Sequence, residues 1–394
     1  MIGRNANLHK RSKIQNRSMC YRYYKFFRHI SCKILGLSPW KIDSNNVWSV
    51  SYVESFCNIL LSFGLIALTI VEYIEYTNSS VSGAITASVI HKSLLFTGLS
   101  ASFIVLFYTF YQRSLISTNN RLTKVDRILE KCADYKLKRD YTNEVIFILN
   151  LLTIVFLILM LDACYYPVAV ILYGNLPTVI GGGVMIQFAM LLNRVEKRIN
   201  SINSTVLKIG PAEDNIVGTQ VLSLSQKVIM RESLIYNIDN LKSAFIELHE
   251  ICYDSAQFYG VPIIITLFCG GMRVFFTVYI ALLTVLKLSN EVIVWHVVGP
   301  RLLWMASTIV LLTSSVTTIQ KQHRKLANTI SRIVDRKILN DKVSKKLSDF
   351  SSDLQFLEIK LFACDIIPVG RSLLGVVTGT IAMYIIIAIQ LALV

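Results

Sequence analysis

The 394-residue sequence is 53% hydrophobic and only 16% charged, with a mean hydropathy of +0.52. That balance argues against a soluble domain and for an all-α membrane protein of several spans. A net charge of +15 would raise nucleic acid as a partner of a soluble chain. Here the basic residues lie between apolar runs, so membrane topology accounts for them and no nucleic acid is expected.

Residues 1–50 carry ten Lys/Arg and a single acid, Asp43, with no short apolar core near the start, so a cleavable signal peptide is not expected. Within them YRYYKFFRHISCKILG alternates bulky apolar and basic residues and reads as an interfacial helix on an anionic leaflet, ended by Gly36–Pro39. Six apolar runs follow, at 53–74, 88–111, 145–170, 176–192, 258–286 and 295–318, and a last one spans 371–394. Each is of the length that crosses a hydrocarbon core of ~30 Å, which predicts seven transmembrane helices. The fourth run, GGGVMIQFAMLLN, is the shortest and richest in glycine.

Lys/Arg in the connections set the orientation. The N-terminal segment holds ten, loop 112–144 eight, loop 193–255 seven and loop 319–360 ten, whereas 75–87 and 171–175 have none and 287–294 has Lys287 alone. The N-terminus is therefore expected in the cytoplasm and the C-terminus outside, opposite to a G-protein-coupled receptor. Both long basic loops show helical apolar spacing: Val195, Ile199, Ile202 and Val206, then Val221 to Cys252 after a GPAED break at 210–214, and Leu326, Ile330, Ile333, Val334 and Ile338 in the second. Spans 4 to 6 are expected to continue as helices into the cytoplasm and pack as an anchor bundle. The expected division is 1–50 interfacial, 51–192 spans 1–4, 193–255 cytoplasmic helices, 256–318 spans 5–6, 319–369 anchor helices and 370–394 the last span.

The eight cysteines are scattered, with no C-x-x-C and no metal spacing, and only Cys164 approaches the outer face, so neither a disulfide framework nor a bound metal is implied. Of three N-x-S/T sequons only Asn78 falls in an outer loop and is a glycosylation candidate. No nucleophile elbow, phosphate loop or H-E-x-x-H pattern is present, so neither an enzyme nor a cofactor is expected.

Ionisable residues at membrane depth are costly and mark function or helix pairing. Asp162 in span 3, Arg273 in span 5 and Arg301 in span 6 qualify, and Tyr165, Tyr166, Phe276, Tyr279, His296 and Trp304 lie at similar depth. An acid paired with an arginine among aromatic walls suits a small-molecule pocket; helix pairing and an aromatic belt are the structural alternatives. In the last run Ser372, Val376, Gly379, Met383, Ile386, Ile387 and Gln390 share one face at ~100° per residue. Small and polar groups with apolar rings suit a water-filled path, and a tight helix seam is the alternative.

The C-terminal MYIIIAIQL, Met383 to Leu391, resembles the signature of the insect gustatory receptors: Thr-Tyr, five hydrophobic residues, then Gln-Phe. Tyr384 and Gln390 match, Met383 stands for Thr, and Leu391 stands for Phe. The preceding FACDIIPVGRSLLGVVTGTIA and the stretch LKSAFIELHEICYDSAQFYGVPIIITL at 241–267 are similar to the family's runs into its seventh and fifth spans. The resemblance implies a tastant-gated, non-selective cation channel in the plasma membrane of sensory neurons (dendrite, axon and cell body). It implies a homo- or heterotetramer with other gustatory receptors around the last helix, in contact with membrane lipid. Gln390 and Leu391 would form the gate, with Tyr384, Ile387, Met383 and Gly379 along the cation path. The ligand would be a bitter or other non-sugar tastant, that class being the family's largest. The odorant-receptor branch is the nearer rival, and a multi-span lipid enzyme or carrier the further one.

Overall fold

A computed structural model describes residues 29–43, 47–78, 85–132, 135, 142–152, 160, 168–209, 224–285, 295–335 and 340–393. In chain order its elements are β1 Trp40–Ile42, β2 Trp48–Val50, α1 Tyr52–Asn78, α2 Ile85–Phe110, α3 Gln112–Glu130, α4 Thr142–Leu152, α5 Val168–Val206, α6 Leu224–Val285, α7 Trp295–Val334, α8 Asp341–Phe356, β3 Phe362–Ala363, β4 Ile367–Pro368 and α9 Arg371–Leu393. The chain divides into two compact units, one of residues 1–41, 50–110 and 141–183, the other of 42–49, 111–140 and 184–394.

In the first unit α1 and α2 lie side by side. Without a hydrophobic force between helices in lipid, small residues and side-chain hydrogen bonds decide how closely two spans approach. Gly98 supplies the closest point, where a Cβ would stand 2.3 Å from Thr69 Oγ1. Asn58 donates to the Gly36 carbonyl at 2.8 Å and to Thr109 Oγ1 at 3.2 Å, and Ser62 donates to the Ser102 carbonyl at 3.2 Å. The basic entry segment forms a helix over 29–34 and turns at Gly36, whose φ of +71° favours glycine. Leu37 and Trp40 beyond the turn are buried in protein. The part of the predicted interfacial helix before residue 29 lies outside the described residues.

Span 4 departs from its sequence boundaries. The predicted loop 171–175 is helical, because α5 runs from Val168 through Gly174, Asn175 and Pro177. A proline is tolerated there because neighbouring groups within a membrane helix satisfy the freed carbonyl. Most of predicted span 3, including Asp162, Tyr165 and Tyr166, lies outside the described residues; α4 holds its first residues.

In the second unit long helices pass from span to bundle without a break. At ~1.5 Å per residue the 62-residue α6 is about 90 Å long, three times a hydrocarbon core of ~30 Å. It packs against α8; Leu241, Phe245 and Leu248 of α6 and Val343, Leu347, Phe350 and Leu354 of α8 are buried, and Phe245 meets Phe350 at 6.1 Å and stacks on His323 of α7 at 5.6 Å. The second loop's stripe is likewise core: Leu326 and Ile330 are fully buried, and Ile333 nearly so. The amphipathic α3 buries Leu115, Leu122, Val125 and Leu129 and packs against α6.

Charges lock this bundle. Arg121 of α3 donates to Glu247 (2.6 Å), Asp254 (2.6 Å) and Glu250 (2.5 Å), carboxylates that share one face of α6. Arg198 of α5 forks onto both oxygens of Asp126 at 2.7 and 2.6 Å, and its guanidinium is the most buried of the set. Asn120 of α3 exchanges two 3.0 Å hydrogen bonds with the Trp48 backbone. Asn340 caps α8 by accepting from Lys342 N at 3.1 Å.

Candidate functional site

After Arg371, α9 has no charged residue, so its two sides are distinguished by what they touch. The helix is introduced by a hairpin in which Phe362 pairs with Pro368 and Ala363 with Ile367. Its turn holds Cys364 and Asp365 at φ of +52° and +56°, a left-handed pair of non-glycine residues that only surrounding contacts sustain. Gly260 of α6 supplies one such contact: a Cβ there would lie 2.5 Å from the Cys364 backbone nitrogen. Just before the hairpin, Lys360 hydrogen-bonds Glu358 and its charge holds that carboxyl below the usual range.

One stripe of α9 faces its own protomer. Leu374, Val377, Thr378, Ile381, Ala382 and Ile385 line a partly open cavity of about 450 Å³, whose other walls are α6 and α7. Turning at ~100° per residue, the stripe of Val376, Gly379, Met383, Ile387 and Gln390 is centred about 160° away from it. That opposite stripe is uncovered in the protomer: Val376 is 63% exposed, Met383 53% and Ile387 43%, Gln390 is exposed, and a Cβ on Gly379 would meet nothing within 4 Å. Leu391 continues the helix, and its side chain lies outside the described residues.

Tyr384 sits on the flank between the two stripes. Its ring meets Phe275 of α6 edge-on at 6.4 Å; Phe275 in turn stacks with Tyr279 at 6.1 Å and meets Phe276 at 5.1 Å. Two of the proposed ligand residues, Phe276 and Tyr279, thus belong to an aromatic group that reaches the last helix. Arg273 is half-buried on the same helix but turned away from the cavity stripe of Leu267, Gly271, Val274 and Val278. Trp304 of α7 is 1% exposed, and its indole nitrogen has no hydrogen-bond partner among the described residues. No contact joins Trp304 to the aromatic group among the described residues. Asp162, Tyr165 and Tyr166 fall outside them, as do the side chains of Arg301 and His296. Asn78 is the last residue of α1, and its side chain is likewise outside.

Sequence reasoning missed the cavity stripe, the ring of Phe275 and the Gly260 contact. The Gly270–Gly271 pair inside a span was the available signal, since small residues in lipid mark close approach or open space. The structure assigns one role to each: a Cβ at Gly270 would stand 2.2 Å from Met305 Cε, while one at Gly271 would meet nothing within 4 Å.

A family model described as 7tm Chemosensory receptor matches residues 29–394. Among solved structures, the insect olfactory receptor OR5 from Machilis hrabei aligns with a TM-score of 0.64 at 13% identity, covering 95% of this chain and 99% of that one. The same receptor in complex with eugenol aligns at 0.62 and 12%, covering 94% and 98%. At these identities the likeness is one of fold, and it extends the seven-span, all-α architecture over the chain. No curated protein matches.

Proposed function

The chain belongs to the 7tm chemosensory receptor family, and from that premise we propose that it is a gustatory receptor acting as a tastant-gated, non-selective cation channel. The observation that carries the channel reading is the asymmetry of α9. A uniformly apolar helix packs one stripe on its own protomer and leaves the stripe with Gly379, Met383, Ile387 and Gln390 uncovered. Four such stripes around an axis, in a homo- or heterotetramer with other gustatory receptors, would make a path for cations with hydrophobic constrictions that close by dewetting. Gln390 and Leu391 form the gate in this reading. The bundle of α3, α6, α7 and α8 serves as the cytoplasmic anchor, with the N-terminus inside and the C-terminus outside. The sixfold division of the chain at 50, 192, 255, 318 and 369 follows from the same topology.

The ligand is a bitter or other non-sugar tastant held among spans 2 to 6 in the outer leaflet. Asp162, Tyr165, Tyr166, Arg273, Phe276, Tyr279 and Trp304 are the candidate contacts, and Asn78 the candidate glycan acceptor. Binding drives opening only through a higher affinity for the state with the last helices splayed from the axis. The protein would act in the plasma membrane of sensory neurons. An odorant-receptor type channel is the second reading, favoured by the likeness in fold to OR5 of Machilis hrabei; Tyr384 and Gln390 of the end motif favour the gustatory one.

Whole-cell recording without added G protein tests the channel directly, using a panel of tastants and odorants with wild type and Gln390→Ala. Ligand-evoked current reversing near 0 mV, with permeation or gating altered by the substitution, is the expected result. Currents indifferent to every substitution along 372–390 would remove α9 from the pore.

A further inference from the structure

The cavity behind α9 has a chemistry of its own. Its volume of about 450 Å³ lies within the ~300–1,000 Å³ of small-molecule pockets. All its lining comes from the apolar runs of α6, α7 and α9, and Thr378 alone adds a hydroxyl. A polar guest would lose its hydration there without replacement hydrogen bonds, at a cost of several kcal/mol in apolar surroundings (~4–8). An unfilled void would forfeit the dispersion contacts of every wall atom. Hydrocarbon avoids both penalties, and the bilayer supplies it beside the helices that build the cavity, with no transfer through water. Gly271 leaves the floor open, since a side chain there would have met nothing.

We propose that this cavity binds one acyl chain of a bilayer lipid, and that the bound chain holds α9 away from α6 and α7. The second clause rests on the pore reading above. If the last helices open by moving outward from the axis, each must move toward its own α6 and α7, because the stripe facing them is about 160° from the stripe facing the axis. A chain wedged between them then has higher affinity for the closed state and shifts the equilibrium toward it by that difference. The site is distinct from the aromatic group of Phe275, Phe276 and Tyr279, where Phe276 lies on the far side of α6 from the cavity stripe.

Occupancy can be read without any current. The full-length protein is reconstituted in nanodiscs of phosphatidylcholine that contains a diazirine-bearing acyl chain, irradiated, and its labelled residues mapped by mass spectrometry. Label concentrated on the cavity stripes of α6, α7 and α9, above that on the exposed apolar face of α1 at Phe56, Leu60 and Phe63, is expected. Gly271→Trp should lower the cavity label about tenfold, as loss of some 1.4 kcal/mol of binding would. Ala306→Phe does the same from α7 and serves should the first variant fail to fold. Equal label on α1 and the cavity, or label unchanged in both variants, overturns the site. Cross-linking between protomers through Ala382→Cys also overturns it, by placing a second copy in the cavity. Normal ligand-gated current in a variant that has lost the label would keep the site and refute its hold on α9.

Discussion

Replacing Gly260 with alanine should shift the gating equilibrium, whereas the same change at Gly271, 11 residues further along the same helix, should not. A Cβ on Gly260 would stand 2.5 Å from the Cys364 nitrogen, 3.2 Å from Cys364 Sγ and 3.3 Å from the Ala363 carbonyl carbon. Ordinary contact begins at 3.4 Å, so the hairpin backbone must retreat by about 0.9 Å. Two of those three atoms are main chain, in a turn whose left-handed Cys364 and Asp365 have little freedom to adapt. Overpacking of this kind costs about 1–3 kcal/mol. The cost falls on the arrangement described here, with α9 seated beside an open cavity, so it favours any state in which the hairpin has moved. If the whole cost is relieved on opening, the equilibrium shifts about 5- to 150-fold. The assay is a concentration–response series in whole-cell recording, normalised to surface expression. A higher current without ligand and a lower half-activating concentration are expected for Gly260→Ala. Wild-type behaviour is expected for Gly271→Ala, which meets nothing. An unchanged response of Gly260→Ala at normal expression, or equal shifts in both variants, would refute the coupling of hairpin to pore helix.

Two further substitutions test what holds each unit together internally. Arg198→Ala removes a forked pair and leaves Asp126, only 32% exposed, without its partner; the loss should be about 2–3 kcal/mol, seen as a lower midpoint of thermal unfolding in detergent. Adding Asp126→Leu should recover part of that loss, because the stranded charge goes with it. Gly98→Ala forces a Cβ to within 2.3 Å of Thr69 Oγ1 and should lower surface expression; Thr69→Ala removes the two nearest atoms and should restore it.

The architecture was legible because its signals repeat. Apolar runs separated by basic loops give the spans, and stripes such as Leu326, Ile330 and Ile333 give a bundle whose residues are buried as their spacing requires. The continuation of span into bundle was legible for the same reason: the only proline in 224–285 is Pro262, which the helix accommodates. The boundary between spans 3 and 4 was misplaced at 171–175 because a scan for apolar runs sets a connection where hydropathy dips, whereas α5 continues through that stretch. The ion pairs of Arg121 were invisible, since the sequence distance to Glu247, Glu250 and Asp254 exceeds 120 residues. The face of α9 proposed for the pore could be drawn from a helical wheel, but an apolar helix has many such faces. What separates them is the cavity on the opposite side, which depends on packing between three helices and leaves no local signature.

The meeting points of α6 with α9 and its hairpin suggest how a signal would pass. Gly260 against Cys364 is a main-chain contact with no slack, so any tilt of the last helix is felt at its base. Phe275 against Tyr384 is an edge-on ring contact, which can slide by a fraction of a ring width at a cost of about 0.5–1.5 kcal/mol. The cavity leaves room between α9 and its neighbours, and walls brought together there gain dispersion contacts. A helix that pivots at its base, slides at its flank and has room toward α6 and α7 has one inexpensive motion in the proposed channel, a tilt of its far end toward those helices. Opening by that tilt would close the cavity, so whatever fills the cavity competes with whatever opens the channel. A ligand among the aromatic residues of α6 need supply only the difference between those two packings, on the order of the 1–3 kcal/mol typical of coupling between sites.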